Sequence, residues 1–217
     1  MKHSLRLLII CLCAMLVFPG AILFASDHWK CVKEKKGITI FSKKARDSKY
    51  NQFKSVTVIN APFDVIVDTL RDFNAYPLWQ PFMEEMKILE NQGNDHVVAY
   101  ASFDFPWPVS NRELLVETTI VKNGMLPSTL KIIVEGIDFP PANRKKKYIR
   151  IKFYRCETLI EAIGEIRSRI TFTLESDPGG NLPPATANWA MREAIYLAPK
   201  NLREIIREHV CNNTDQK

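Results

Sequence analysis

The sequence is poor in the residues that carry out chemistry. Four histidines are spread along 217 positions, and no two share a metal-ligand spacing. H-E-x-x-H and C-x-x-C are both absent, which excludes the common zinc and dithiol sites. No G-x-S-x-G elbow anchors serine hydrolysis. The one Gly-Gly pair, Gly179-Gly180, is followed by neither Lys-Ser/Thr nor G-x-G-x-x-G, so it is not a phosphate loop. Helix-turn-helix, zinc-finger and RNA-binding motifs are missing, which argues against nucleic acid as a partner. The adjacent acids Glu84-Glu85 point to different sides of their element and read as solvated surface. His209 falls on an apolar helical stripe and reads as an end-of-helix residue. No catalytic residue, no metal and no cofactor is expected.

Long apolar runs are also scarce beyond the first segment. Lys2 and Arg6 precede an almost wholly apolar stretch from Leu7 to Val17, and Pro19-Gly20 breaks it. Small residues follow at Ala25 and Ser26. This is the pattern of a secretory signal, with cleavage after Ala25. Residues 1–25 are read as a signal peptide and 26–217 as one domain, exported to the periplasm. The alternative is an uncleaved anchor in the inner membrane, since the stretch is near the lower spanning limit of ~17 residues. Cysteine is sparse beyond the signal: Cys31, Cys156 and Cys211. Three thiols allow at most one internal disulfide, and Cys31 and Cys156 read as small packed side chains. The formal charge is +6, and losing Lys2 and Arg6 with the signal leaves +4. That mild excess suits an anionic membrane surface better than nucleic acid.

What is present is alternation. Asp27 is placed to cap a short helix over His28–Lys36, closed by Gly37. Ile38 to Lys43 and Phe53 to Ile59 read as strands. Asn60-Ala61-Pro62 opens a helix carrying Phe63, Ile66, Val67, Leu70 and Phe73 at helical spacing, and Tyr76-Pro77-Leu78-Trp79 ends it. The period then changes to two. Val97, Ala99, Ala101, Phe103 and Phe105 share one face. So do Leu114, Val116, Thr118 and Ile120, and then Leu130, Ile132 and Val134. Ile149, Ile151 and Phe153 follow, and Ile166, Ile170, Phe172 and Leu174 close the series. Each strand has one apolar face and one wet face, as in an antiparallel sheet covered on one side. The last segment, Pro184 to Val210, places Asn188, Met191, Ile195, Ala198, Leu202, Ile205 and His209 on one stripe. Pro199 inside it deletes a backbone hydrogen bond and should kink or break the helix. The expected class is α+β: a curved antiparallel sheet wrapped around a long C-terminal helix.

Two clusters of charge stand out. Arg112 heads a strand and Arg169 lies mid-strand opposite the apolar face; a guanidinium near a greasy cavity can pair an acid or orient a head group. Arg144-Lys145-Lys146-Lys147 sits in the connection Asp138 to Lys147 behind Phe139-Pro140-Pro141. Four cations beside an aromatic suit an anionic bilayer.

Three segments, in order, resemble the START domain, the steroidogenic-acute-regulatory-related lipid-transfer family. They are Asn60-Ala61-Pro62 with Val65, Leu70, Asp72, Tyr76 and Trp79; Pro106-Trp107-Pro108-Val109-Ser110-Asn111-Arg112-Glu113; and Asp177-Pro178-Gly179-Gly180 with Leu182-Pro183, Asn188, Pro199 and Leu202-Arg203. The likeness spans about Trp29 to Arg207 and points to a bacterial, exported member. Two positions depart from the family pattern: Ala185 stands where Trp is frequent, and Arg155-Cys156-Glu157-Thr158-Leu159 replaces a G-S-W-like run. The resemblance implies a helix-grip fold with a tunnel for one lipid or sterol-like molecule, in a non-catalytic monomer. Phe103, Phe105, Arg112, Ile132, Val134, Ile151, Phe153, Arg169, Ile170, Phe172, Met191, Ile195 and Leu202 are the expected ligand-side residues. Phe139, Arg144, Lys145, Lys146 and Lys147 are the expected membrane contacts. The alternatives are an aromatase/cyclase-like enzyme of the same grip fold, or an anchored interaction module with a filled cavity.

Overall fold

The computed structural model describes residues 28–93, 95–122, 128–138 and 147–214, with side chains to residue 208. The expected signal, His209, Cys211, and the loop residues Phe139, Arg144, Lys145 and Lys146 lie outside what is described.

The chain opens with three strands, β1 (Lys30–Lys35), β2 (Ile38–Lys44) and β3 (Asn51–Ile59). Pro62 then sets the backbone for α1 (Phe63–Arg71), with Asp64 in its first turn and Arg71 in its last, each favourable to the helix dipole. A 3₁₀ turn (Phe73–Ala75) leads into the single turn α2 (Tyr76–Trp79). Strands β4 (Met83–Asn91), β5 (His96–Phe103), β6 (Arg112–Lys122), β7 (Thr129–Ile137), β8 (Ile149–Arg150), β9 (Phe153–Gly164) and β10 (Arg167–Asp177) follow. The long helix α3 (Pro184–Thr214) ends the described chain.

The sheet runs β1-β2-β3-β10-β9-β7-β6-β5-β4 and stays open, with β1 and β4 as its edges. All pairings along this path are antiparallel; β8 joins β6 in parallel through two residues. One face carries the core. Ile38, Ile40, Ala99, Ile160 and Ile170 are fully covered there, and α1 and α3 bring Ile66, Leu70, Leu202 and Ile206 against them.

Several expectations are corrected. His28–Lys36 is not a helix: its centre is edge strand β1, exposed on both faces apart from partial cover at Lys33. Strand β4 was not anticipated. The Ile149–Phe153 strand is split, because Ile151 N–H donates to Glu113 O and Lys152 N–H to Asp177 O, so the chain crosses from β6 to β10 there. Ile166 sits in the β9–β10 turn, 70% exposed. Pro199 does not end α3, which continues through it to Thr214. Cys31 and Cys156 are free thiols, Cys31 being exposed rather than packed.

The helix α3 is tied to the sheet along its length. Asn51 N–H donates to Asn188 Oδ1 at 2.9 Å. Lys33 reaches Glu193 at 3.1 Å, and Asn201 Nδ2 donates to Trp79 O at 3.1 Å. Arg203 donates to Lys36 O at 2.8 Å and also to Thr57 Oγ1. At the helix start, Gly179 (φ +68°) and Gly180 (φ +63°) turn the chain from β10 against β8. A Cβ on Gly179 would stand 2.3 Å from Arg150 O, so only glycine fits both the angle and the space.

Candidate ligand-binding site

The helix face that crosses the sheet is built from small side chains. Ala187, Ala190, Met191, Ala194, Ile195 and Ala198 recur at helical spacing, and alanine fills four of these six positions. Side chains this short cannot fill the gap to the sheet, so a cavity of about 90 Å³ remains beneath α3. Phe172, Leu174 and Ser176 of β10 and Tyr154 and Cys156 of β9 form its floor. Phe105, Val109 and Arg112 from the start of β6 and the loop before it close one side, with Gln80 and Pro81 after α2.

A second apolar cavity of about 40 Å³ lies under α1 and α2, between Leu70, Met83, Met86, Ala101, Leu114, Val116 and Ile132. Gln80, Phe103, Tyr154, Cys156 and Phe172 line both. They form a waist between two chambers.

The reactive groups at the waist are held inert. Tyr154 and Cys156 sit two apart on β9, on the same inward face. They look half-open only because they face the cavities; they lie deep below the protein surface. Burial pushes the Cys156 thiol up to about 12 and holds the Tyr154 hydroxyl well above its usual range. At neutral pH both are protonated and neutral.

Arg112 is the one strong charge in the cavity wall among the described residues. It is 2% exposed, and it shares its strand face with Leu114 and Val116. Its Nη1 donates to Ser110 O, and its guanidinium carbon lies 6.0 Å from the centre of the Phe105 ring. Burial lowers its proton affinity from the usual arginine value. Phe105 also packs against Phe82 (4.9 Å) and Phe103 (6.1 Å).

Of the thirteen residues expected on the ligand side, the structure brings eight to these chambers. Phe103, Phe105, Arg112, Phe172, Met191 and Ile195 line the larger; Ile132 and Val134, with Phe103 and Phe172, line the smaller. Ile170 and Leu202 are fully buried core behind the wall. Ile151 packs on the core edge and faces a polar groove beside Gly136. Phe153 and Arg169 do not reach the cavity. The alternation that sends Tyr154 and Ile170 inward turns both outward, Phe153 to 47% exposure and Arg169 to Glu161 at 3.7 Å. Ala185 is exposed, so the missing tryptophan there does not widen the cavity. The alanines of α3 and the Tyr154–Cys156 waist were not among the expected residues. The Ala187-Ala190-Ala194-Ala198 spacing was the available signal.

A family model for the START domain matches residues 10–211. This chain belongs to the START domain family. The phosphatidylcholine transfer protein of Mus musculus is 27% identical over 209 residues, covering 94% of this chain and 92% of that one. The crystal structure of a STAR-related lipid transfer protein fragment from Xanthomonas axonopodis superposes with a TM-score of 0.74 at 26% identity, covering 83% of this chain and 99% of the fragment. Human StAR-related lipid transfer protein 5 gives a TM-score of 0.75 at 13% identity over 96% of each chain, a likeness of fold. The open curved sheet with its C-terminal helix is the START helix-grip fold. Transfer of a lipid is what these relatives' names share.

Proposed function

We propose that this START domain holds one hydrophobic lipid or sterol-like molecule in the chambers beneath α3 and carries it between membranes without altering it. The observation that carries this reading is the alanine stripe, which leaves apolar space where larger side chains would have made a dry core. Hiding hydrocarbon from water gains roughly 0.8 kcal/mol per methylene, so such a site holds a ligand without any reactive group. The chambers are smaller than a ligand pocket of roughly 300–1,000 Å³. A whole lipid therefore requires α3 and the waist to move apart.

An aromatase/cyclase-like activity needs an acid or base at the cavity wall. The titratable groups found there are a neutral thiol, the two neutral phenols of Tyr76 and Tyr154 and a permanent cation, none of which takes up or releases a proton near neutral pH. That favours carriage over conversion. The apolar space itself stands against a module whose cavity is filled by its own side chains.

The N-terminal pattern supports export to the periplasm, with residues 1–25 removed and the domain of 26–217 at work. The cations of Arg144 to Lys147 beside Phe139 support docking on an anionic membrane; of these, Lys147 alone is described, and it is exposed.

The test is to extract protein purified from its own host and identify what is released. A lipid at near-stoichiometric yield is expected. Ala194→Phe, which places a ring in the larger chamber, should cut that yield at least tenfold while the protein stays folded. Protein free of lipid that also binds no fatty-acid or sterol probe would remove the proposal.

A further inference from the structure

The wall of the cavity has a direction, set by one residue. Arg112, Leu114 and Val116 follow one another on the inward face of β6. Of the two chambers, Arg112 lines the larger, while Leu114 and Val116 line the smaller. Alternate residues of a strand advance by roughly 6.6 Å. Passing along β6, the wall therefore changes from a guanidinium to hydrocarbon within one step.

Arg112 is under-used where it stands. A guanidinium has five N–H donors. Here Nη1 donates to the Ser110 carbonyl, and Nε is buried with no partner at all. Arg112 forms no ion pair among the described residues. The carboxylate beside it in sequence, Glu113, faces the opposite side of β6. It is fully buried there and held by Arg150 at 3.0 Å and by Tyr100 Oη at 3.1 Å. The fold thus neutralises one buried charge with care and leaves its neighbour without an anion. Arginine cannot shed its proton to escape, and a buried cation without a counter-charge is strongly unfavourable. The Phe105 ring and one backbone carbonyl compensate only partly.

We propose that Arg112 receives the acidic group of the ligand, a fatty carboxylate or a lipid phosphodiester, and that the attached hydrocarbon runs along β6 past the Phe103–Tyr154 waist into the smaller chamber. This rests on the reading of the cavity as a lipid site and adds the charge and direction of what it holds. A planar guanidinium pairs either oxyanion through two parallel hydrogen bonds. A neutral sterol or ester can accept a hydrogen bond from it but brings no counter-charge.

The experiment uses the full chain and two probes that differ only in charge: cis-parinaric acid and its methyl ester, followed by fluorescence. The acid is expected to bind at least tenfold more tightly than the ester at pH 8. That preference should vanish as the pH falls below the carboxyl's own pKa, about 4. In Arg112→Gln the acid-to-ester ratio should drop to near one, and in Arg112→Lys it should stay above one. The pH series on the unaltered chain decides the matter even where a variant does not fold. Displacement of the bound acid by oleate alone assigns a carboxylate; displacement by phosphatidylglycerol as well assigns a phosphodiester. Displacement by neither overturns the proposal. Equal binding of acid and ester overturns the acidic ligand and leaves the lipid site standing. Binding of neither probe removes both.

Discussion

At the scale of single residues, neighbours on one strand do opposite work. Glu113 is fully buried, whereas its partner Arg150 keeps 18% of its side chain exposed. Removing the arginine strands the carboxylate in a dry setting, which typically costs about 3–5 kcal/mol. Arg150→Ala should therefore lower unfolding free energy by about 3 kcal/mol in a urea titration. The double variant with Glu113→Ala should lose less than the two singles added together. The thiols should separate as sharply. Cys31 is exposed, whereas burial pushes Cys156 up to about 12. At pH 8, peptide mapping after alkylation should find Cys31 modified and Cys156 intact until the protein is unfolded. On the wet side of the sheet, a hydrogen bond from Lys131, reinforced by Arg155, holds the Glu157 carboxyl below its ordinary value of 4.5. A carboxyl lowered by folding adds stability above its unfolded pKa and loses it as pH falls through the folded one. Melting temperatures between pH 7 and pH 3 should thus decline less steeply in Glu157→Gln than in the parent.

At the scale of elements, α3 combines firm attachment with one weak point. Its ties to Asn51, Lys33, Trp79 and Lys36 hold both halves on the sheet, but Pro199 has no N–H for the carbonyl of Ile195. Ile195 also lines the larger chamber, so the slack lies beside that space. Pro199→Ala should raise the melting temperature and slow the release of bound lipid in a stopped-flow transfer assay. Equal release rates, with equal amide exchange on both sides of residue 199, would exclude a hinge there. The same elements show what can be read from sequence. Central strands such as β5, β6 and β10 pack one face on the core, and that contact writes a period of two into the residues. The edge strands β1 and β4 have little to bury. Their residues, Lys30 to Lys35 and Met83 to Asn91, are mostly charged or half-exposed. Only pairing with β2 and β5, the strands that follow each of them directly, makes them strands, and a strand with little face to bury carries no clear period of two. The cavity was half legible for a related reason. Inward parity identifies Phe103, Ile132 and Phe172, and it places Arg112 with them. It also sends Arg169 outward, which outweighs the appeal of a lone cation.

At the scale of the whole molecule, the one-sided sheet and its helix leave lipid transfer to be decided by how the protein meets a membrane. Replacing Lys145, Lys146 and Lys147 with Glu should reduce transfer from anionic vesicles much more than from neutral ones. The difference should shrink in high salt, since exposed charges act over a Debye length of ~8 Å at physiological ionic strength. Uptake of soluble fatty acid should be unchanged. Parental rates from anionic vesicles at low salt would assign docking to another surface. Bound ligand should also stabilise the fold, by roughly 2.7 kcal/mol at a hundredfold excess over Kd, visible as a higher melting temperature with the parinaric probe than without.

The join between β3 and β10 has a further consequence, for how the protein comes into being. β3 is complete by Asn51–Ile59, yet its partner does not begin until Arg167. A chain emerging from the ribosome must wait through about half its length before the middle of its sheet can close, and long-range closure is slow. Until α3 arrives, the greasy inner face lies open to water and to other unfinished chains. The surface proposed to shelter a lipid in the folded molecule is thus the one most in need of shelter during synthesis. A copy truncated after Asp177 should aggregate in a cell-free translation, and detergent or lipid supplied during synthesis should keep it in solution.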